Sequence, residues 1–72
     1  MYYYQRIRDL REDHDLSQTD IAKILDMKQQ QYSNYESGRR EIPVHHLITL
    51  ADYYNVSIDY LVGRTNITKH LK

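Results

Sequence analysis

Apolar residues recur along this chain at steps of three and four, and no segment alternates strictly between apolar and polar residues. Steps of three and four place side chains on one face of a helix, whereas strict alternation is typical of a strand. The pattern therefore predicts an all-α domain of five short helices and no strand. We expect these helices at about residues 4–13, 17–25, 29–37, 43–55 and 57–63.

The apolar faces of the predicted helices are expected to pack into a single core. Burial of such faces is what stabilises helices this short, because isolated short helices are marginal in water. Leu16 should anchor the first connection. The other residues expected to face inward are Tyr3, Ile7, Leu10, Ile21, Ala22, Leu25, Met27, Tyr32, Tyr35, Val44, Leu47, Ile48, Ala51, Tyr54, Ile58 and Leu61.

Residues at the helix ends support these boundaries. Ser17, followed three residues later by Asp20, resembles a capping box, and Ser57 is a second N-cap candidate. Gly38 is expected to end the third helix, because glycine readily adopts the left-handed conformation common at that position. Asp26, after the second helix, also tolerates this conformation better than most residues do.

Length and composition limit the class of protein. Seventy-two residues form one small domain, which we place at residues 1–63, with a frayed or weakly helical tail at 64–72. The absence of cysteine excludes disulfides and thiolate metal sites. No apolar run exceeds four residues, so we predict neither a membrane span nor a secretory segment and expect a cytoplasmic protein.

No arrangement of residues predicts an enzyme or a cofactor site. A Ser17, His14 and Asp20 triad is implausible, because the serine hydroxyl is already expected to cap a helix. The histidines also lack the spacing and the carboxylate partner of a metal site: His14, His45, His46 and His70. We therefore expect no catalysis, metal, cofactor or small-molecule ligand.

The third predicted helix carries an unusual polar segment. Between Gln29 and Tyr35 lie four amide side chains, the Ser33 hydroxyl and no charge. An amide donates and accepts hydrogen bonds at once, as the edge of a base in the DNA major groove requires. The cations that flank this segment would suit backbone phosphates: Lys28, Arg39 and Arg40.

Three stretches of the chain together resemble a known family. They read Ser17-Gln18-x-x-Ile21-Ala22-x-x-Leu25, then Met27-x-Gln29-Gln30-x-Tyr32-x-x-Tyr35-Glu36-x-Gly38, then Leu47-x-x-Leu50-Ala51-x-x-Tyr54-x-Val56-Ser57-x-Asp59-x-Leu61. This combination resembles the Cro/C1-type (Xre) helix-turn-helix of phage repressors and short bacterial regulators. The resemblance covers about residues 4–63. It implies a compact, five-helix, lambda-repressor-like DNA-binding domain in which helices two and three form the helix-turn-helix.

The resemblance also implies roles for polar residues. Gln29 and Gln30 match positions that contact bases, and Ser33 and Asn34 match positions that contact bases or backbone. Gln18 matches a glutamine that contacts phosphate and braces the recognition helix. The loop residues Arg39 and Arg40 match a segment that lies along phosphates.

Four further positions match structural residues of the family. Arg11 and Glu36 match an arginine and a glutamate that form an ion pair between helix one and the end of helix three. Ile58 and Tyr60 match a segment where some members dimerise. One departure concerns Asp26, which stands where the family favours glycine.

Two functions from different classes are compatible with these residues. The first is a sequence-specific regulator of transcription, a repressor, that binds a roughly palindromic double-stranded DNA operator as a weak or DNA-induced homodimer. The alternative is a protein-interaction module on the same scaffold, such as an antitoxin or an antagonist of another regulator. The zero net charge, from ten basic and ten acidic residues, favours that alternative. A third possibility is the N-terminal DNA-binding part of a longer regulator.

Overall fold

The computed structural model describes residues 5–64, in which all regular structure is helical. Its helices are α1 (Gln5–Asp13), α2 (Gln18–Ile24), α3 (Gln29–Glu36), α4 (Val44–Tyr54) and α5 (Ile58–Leu61). The prediction of an all-α domain with five helices is therefore confirmed. The predicted tail, apart from Arg64, and the predicted core residue Tyr3 lie outside the described residues.

Side-chain caps start two of the helices. The Ser17 hydroxyl accepts a hydrogen bond from the Asp20 backbone N–H at 3.0 Å, and the Asp20 carboxylate accepts one from the Ser17 N–H at 2.9 Å. This reciprocal pair is the predicted capping box. The hydrogen bond from the Ser17 N–H, followed by the interaction with the Ser17 side chain, lowers the pKa of the Asp20 carboxyl. At α5, the Ser57 hydroxyl accepts from the Tyr60 N–H at 3.0 Å.

Residues with a left-handed backbone conformation follow the helix ends. Asp15, Asp26 and Asn55 have φ near 56°, and Gly38 has a φ of 80°. At Asp26 the chain reverses so that the N–H of Met27 reaches back to the carbonyl of Ala22 at 2.9 Å. This is the hydrogen bond of a Schellman end, and it makes a short connection between α2 and α3 possible.

The core lies where the five helices meet. Ile7, Ile21, Tyr32, Leu50 and Leu61 are its fully inaccessible side chains. Around them lie the remaining buried apolar residues: Ala22, Leu25, Tyr35, Ile42, Leu47, Ala51, Tyr54 and Val56. Leu10, Leu16, Met27 and Ile58 are only partly buried against this cluster.

The prediction for α4 was wrong at two positions. Val44 is 64 % exposed and Ile48 is 45 % exposed, although both were expected in the core. The buried face of α4 instead follows Leu47, Leu50 and Tyr54. A single residue step rotates a helical side chain by about 100°, so a helix with apolar residues on several sides has more than one possible buried face.

Packing around α3 determines which of its faces remains accessible. α2 makes the most extensive contact with α3, and α1 also packs against it. Tyr32, Tyr35 and Glu36 are turned into these contacts. The opposite side of α3 is left at the surface.

The left-handed turn at Asp26 supports a prediction about stability. We expect Asp26→Gly to raise the free energy of unfolding by up to about 1 kcal/mol, because glycine removes the cost of an L-residue with positive φ. Asp26→Ala should lower it, because alanine lacks the short polar side chain that makes this conformation tolerable. Urea denaturation measures both changes.

Asp52 provides the matched control for this prediction. It is an exposed aspartate inside α4 and has helical backbone geometry. Asp52→Gly should therefore destabilise the domain, since glycine is the poorer helix former. The same sign for Asp26→Gly and Asp52→Gly would contradict the explanation.

Candidate nucleic-acid interface

The accessible side of α3 carries the residues predicted to contact bases. Gln29 and Gln30 are exposed, and Ser33 and Asn34 are half-buried beside them. We call these four residues the amide face. The structure thus brings all four to one surface, and their contact with bases stays a prediction.

A chain of hydrogen bonds orients the first residue of the amide face. The Gln29 side-chain N–H donates to Oε1 of Gln18 at 2.6 Å. The Gln18 side-chain N–H in turn donates to Oε1 of Glu36 at 3.1 Å. An amide nitrogen has two hydrogens, so Gln29 retains one donor and its carbonyl acceptor for an external partner.

The other amides have weaker internal contacts. The Gln30 side-chain N–H lies 3.4 Å from Oδ1 of Asn34, and that of Gln31 lies 3.3 Å from the Tyr35 hydroxyl. Distances this long mark weak hydrogen bonds. Gln30 and Asn34 can therefore exchange their internal contact for an external one at little cost.

Arg11 and Glu36 form a buried ion pair beneath the amide face. Nε of Arg11 lies 2.7 Å from one carboxylate oxygen of Glu36, and Nη2 lies 3.2 Å from the other. The side chains are 13 % and 4 % exposed, respectively. Arg11 also donates to the Leu16 carbonyl at 2.7 Å. The structure therefore joins the two residues that the family resemblance paired, and the pair connects α1 to the end of α3.

The environment of Glu36 keeps its carboxylate ionised. Burial by itself would raise the pKa of this carboxyl, but hydrogen bonds from Arg11 and Gln18 hold the pKa below its ordinary value. The hydrogen bond to Glu36 likewise raises the pKa of Arg11. A charged acceptor is thus present under Gln18 at neutral pH.

Two tyrosine hydroxyls near this ion pair were not foreseen from the sequence. The hydroxyls of Tyr32 and Tyr54 are buried and have no well-formed hydrogen bond among the described residues. Burial raises the pKa of both, and Glu36 raises them further, through a weak hydrogen-bonding interaction with Tyr32 and through its charge at Tyr54. The sequence predicted both rings to be buried but could not reveal that their hydroxyls share the surroundings of Glu36.

The predicted phosphate-binding cations lie around α3. Lys28 occupies the N-cap position of α3, and Arg39 and Arg40 lie in the loop that follows it. All three are exposed. Lys28 and Arg40 line a shallow pocket together with Gln30, Gln31, Asn34 and Tyr35. Positive charge is therefore adjacent to the amide face on this side.

The residues predicted to dimerise are partly engaged within the chain. Ile58 and Tyr60 are half-buried. The guanidinium carbon of Arg6 lies 4.1 Å from the centre of the Tyr60 ring, and Nη1 of Arg6 donates to the Tyr60 carbonyl at 3.0 Å. Arg6 was not singled out in the sequence, because a cation–π contact between α1 and α5 has no local pattern.

Residues 5–64 contain neither a metal-binding cluster nor a membrane-spanning helix. No group of three or more His, Cys, Asp or Glu side chains could hold a metal ion. His45 and His46 lie close, with ring centres 4.0 Å apart, but no carboxylate completes a site there. His70 is outside the described residues. In the same part of the chain, no helix has the length and apolarity needed to cross a membrane.

Comparison with known proteins identifies the class. The helix-turn-helix family model matches residues 7–61. The chain therefore belongs to the helix-turn-helix family, which confirms the resemblance found in its motifs.

Individual relatives agree with this assignment. The chain is 36 % identical over 64 residues to the HTH-type transcriptional regulator YobD of Bacillus subtilis, covering 89 % of this chain and 57 % of YobD. It is 35 % identical over 72 residues to the cryptic phage CTXphi transcriptional repressor RstR of Vibrio cholerae, covering 97 % of this chain and 65 % of RstR. The chain thus spans about 57–65 % of the length of these two relatives.

A solved structure shares the fold. The crystal structure of a transcriptional regulator from Listeria innocua superposes with a TM-score of 0.77 at 33 % sequence identity. The match covers 83 % of this chain and 56 % of the Listeria protein.

The buried ion pair supports a prediction about stability. We expect Arg11→Ala and Glu36→Ala each to lower the free energy of unfolding by up to about 3 kcal/mol, because each leaves one buried charge without its partner. The double variant should lose clearly less than the sum of the single losses. Thermal melts of the three variants and wild type measure this coupling.

A control pair lies on the same helix. Arg8 and Glu12 are about half exposed and 3.4 Å apart, so they should show little coupling in the same experiment. Strictly additive losses for Arg11 and Glu36 would show that their contact does not contribute to stability.

Proposed function

We propose that this chain is a sequence-specific double-stranded DNA-binding regulator of transcription, acting as a repressor in the cytoplasm and inserting α3 into the major groove. The amide face carries this proposal: four uncharged hydrogen-bonding side chains lie together on the accessible side of the second helix of the helix-turn-helix. Amides at that place suit base edges, and Lys28 and Arg40 beside them suit phosphates.

The distribution of charge reconciles this proposal with a net charge of zero. Four acidic residues are exposed on the C-terminal end of α1, its connection and the first turn of α2: Glu12, Asp13, Asp15 and Asp20. α3 contains one acidic residue, Glu36, which is buried and paired with Arg11. The amide face therefore presents no negative charge to the DNA.

Gln18 and Gln29 act together in the proposed complex. The 2.6 Å hydrogen bond between them limits the rotamers of Gln29 before DNA arrives. Less side-chain entropy is then lost on binding, and one orientation of the amide is favoured. Gln18 stands at the start of α2, where its position also permits contact with a phosphate.

Assembly into a two-fold dimer completes the proposal. One recognition helix reads only a few base pairs, so selection of a single genomic site requires a second copy on a roughly palindromic operator. Ile58 and Tyr60 provide a small surface for that contact. Such a surface is well below the about 800 Å² per partner of a stable interface, so pairing should depend on DNA.

Base preference provides the direct test of the amide face. In-vitro selection from a random DNA pool should return a half-site for the wild-type domain. Gln29→Ala and Gln30→Ala should each relax the preference at one or two positions, by about 1–3 kcal/mol, since a bidentate amide contact is lost. Gln5→Ala, a glutamine of α1 that donates to Asp9, is the control and should leave the half-site unchanged.

The outcomes of the selection separate the two candidate functions. An identical half-site for wild type and both variants would contradict the assignment of base contacts. Recovery of no sequence at all by the folded wild-type domain would contradict the proposed function and favour the protein-interaction module.

Sedimentation velocity tests the proposed assembly. We expect a monomer or weak dimer in free solution and a two-to-one complex on the selected duplex, with recognition helices about 34 Å apart. Tyr60→Ala should weaken the second binding event. Tyr53→Ala is a matched control, because Tyr53 is a 46 % exposed tyrosine on α4. A tight dimer without DNA in wild type and Tyr60→Ala alike would place the interface elsewhere.

A further inference from the structure

Positively charged side chains lie on both sides of α3. On one side, Lys28 and Arg40 border the amide face. On the other side, a polar pocket lies between α1, the start of α2 and α3. Its lining consists of Arg8, Arg11, Gln18, Ser33, Glu36 and Ser37. The family resemblance implied no role for Arg8.

The lining residues of this pocket carry one net positive charge, which the carboxylate of Glu12, a residue outside the lining, balances through its contact with Arg8. Arg11 and Glu36 neutralise each other in their buried pair. Arg8 then supplies the remaining formal charge among the lining residues, and it is positive. The hydroxyls of Ser33 and Ser37 and the amide of Gln18 add neutral hydrogen-bonding groups around it.

Arg8 is held by a contact that an anion could replace. Its Nε lies 3.4 Å from a carboxylate oxygen of Glu12, one turn along α1. The two side chains are 51 % and 52 % exposed, so water screens their attraction. Glu12 approaches Arg11 only at 4.0 Å. A phosphodiester entering the pocket would offer Arg8 an acceptor of equal charge and of bidentate geometry.

The position of the pocket identifies the source of the phosphate. Ser33 belongs both to the pocket and to the amide face, and Gln18 is hydrogen-bonded to Gln29. An α3 helix in the major groove would therefore bring the pocket against the backbone that borders the groove on the α1 side.

We propose that Arg8 exchanges Glu12 for a backbone phosphate of the operator when the domain docks. This inference rests on the proposed function and adds to it a phosphate contact on α1. Glu12 acts as an internal competitor for the phosphate, so the charge at position 12 and the ionic strength both change the contribution of Arg8 to the affinity.

The salt dependence of binding tests the contact. The logarithm of the association constant, measured by fluorescence anisotropy against the logarithm of salt concentration, has a slope that reports the number of phosphates neutralised. The probes are the selected duplex and a scrambled duplex of the same length. We expect Arg8→Ala to reduce the slope by about one on both duplexes, and Arg8→Lys to retain it.

Removal of the charge of Glu12 should strengthen DNA binding. Glu12→Gln should raise the affinity several-fold at low salt, with a smaller gain at high salt. The gain should shrink in the Arg8→Ala background. Arg64→Ala is the control, because Arg64 is a 78 % exposed arginine near Asp59 on α5. The salt dependence of DNA binding by this variant should have the same slope as that of wild type.

Two further variants, Arg39→Ala and Arg40→Ala, distinguish a failure of this inference from a failure of the proposed function. If Arg39→Ala or Arg40→Ala lowers the slope while Arg8→Ala leaves it unchanged, the domain binds DNA and the contact at Arg8 is refuted. If the wild-type domain binds neither duplex, the proposed function fails, and the inference fails with it. Thermal melts verify that each variant is folded.

Discussion

The structure depends on the need to neutralise one buried carboxylate. Glu36 is 4 % exposed, and a charge at such a position is tolerated only with a close partner and hydrogen bonds. Arg11 supplies the partner from α1, and Gln18 supplies an amide hydrogen bond from the start of α2. Residues of three helices therefore converge on one side chain. Because Gln18 also contacts Gln29, the same group helps to orient the first residue of the amide face.

Short connections impose a second constraint, which acts with the first. The left-handed residues Asp15, Asp26 and Asn55 let α1, α2 and α4 end abruptly and reverse the chain. These tight connections bring helices of four to eleven residues against a common core. Aspartate and asparagine accept the conformation at some cost, so part of the stability is given up for the short connections.

Charge separation explains how a neutral chain can suit a polyanion. Acidic residues lie along the end of α1 and the start of α2, while the surface of α3 is polar and uncharged with cations beside it. A phosphate backbone responds to the local potential, so the sum over the chain matters less than this arrangement. One acidic residue, Glu12, lies 3.4 Å from Arg8, so the two charges partly offset each other.

The sequence by itself determined the five helices, their caps and the polar outer side of α3, because these follow from local spacing and local hydrogen bonds. It misassigned Val44 and Ile48, since apolar residues on several sides of α4 leave the choice of buried face to the neighbouring helices. Only the tertiary structure decided that Arg8 borders the same pocket as Ser33, and that Arg6 covers Tyr60. Such contacts join residues far apart in the chain, and their formation depends on the angles at which the helices pack.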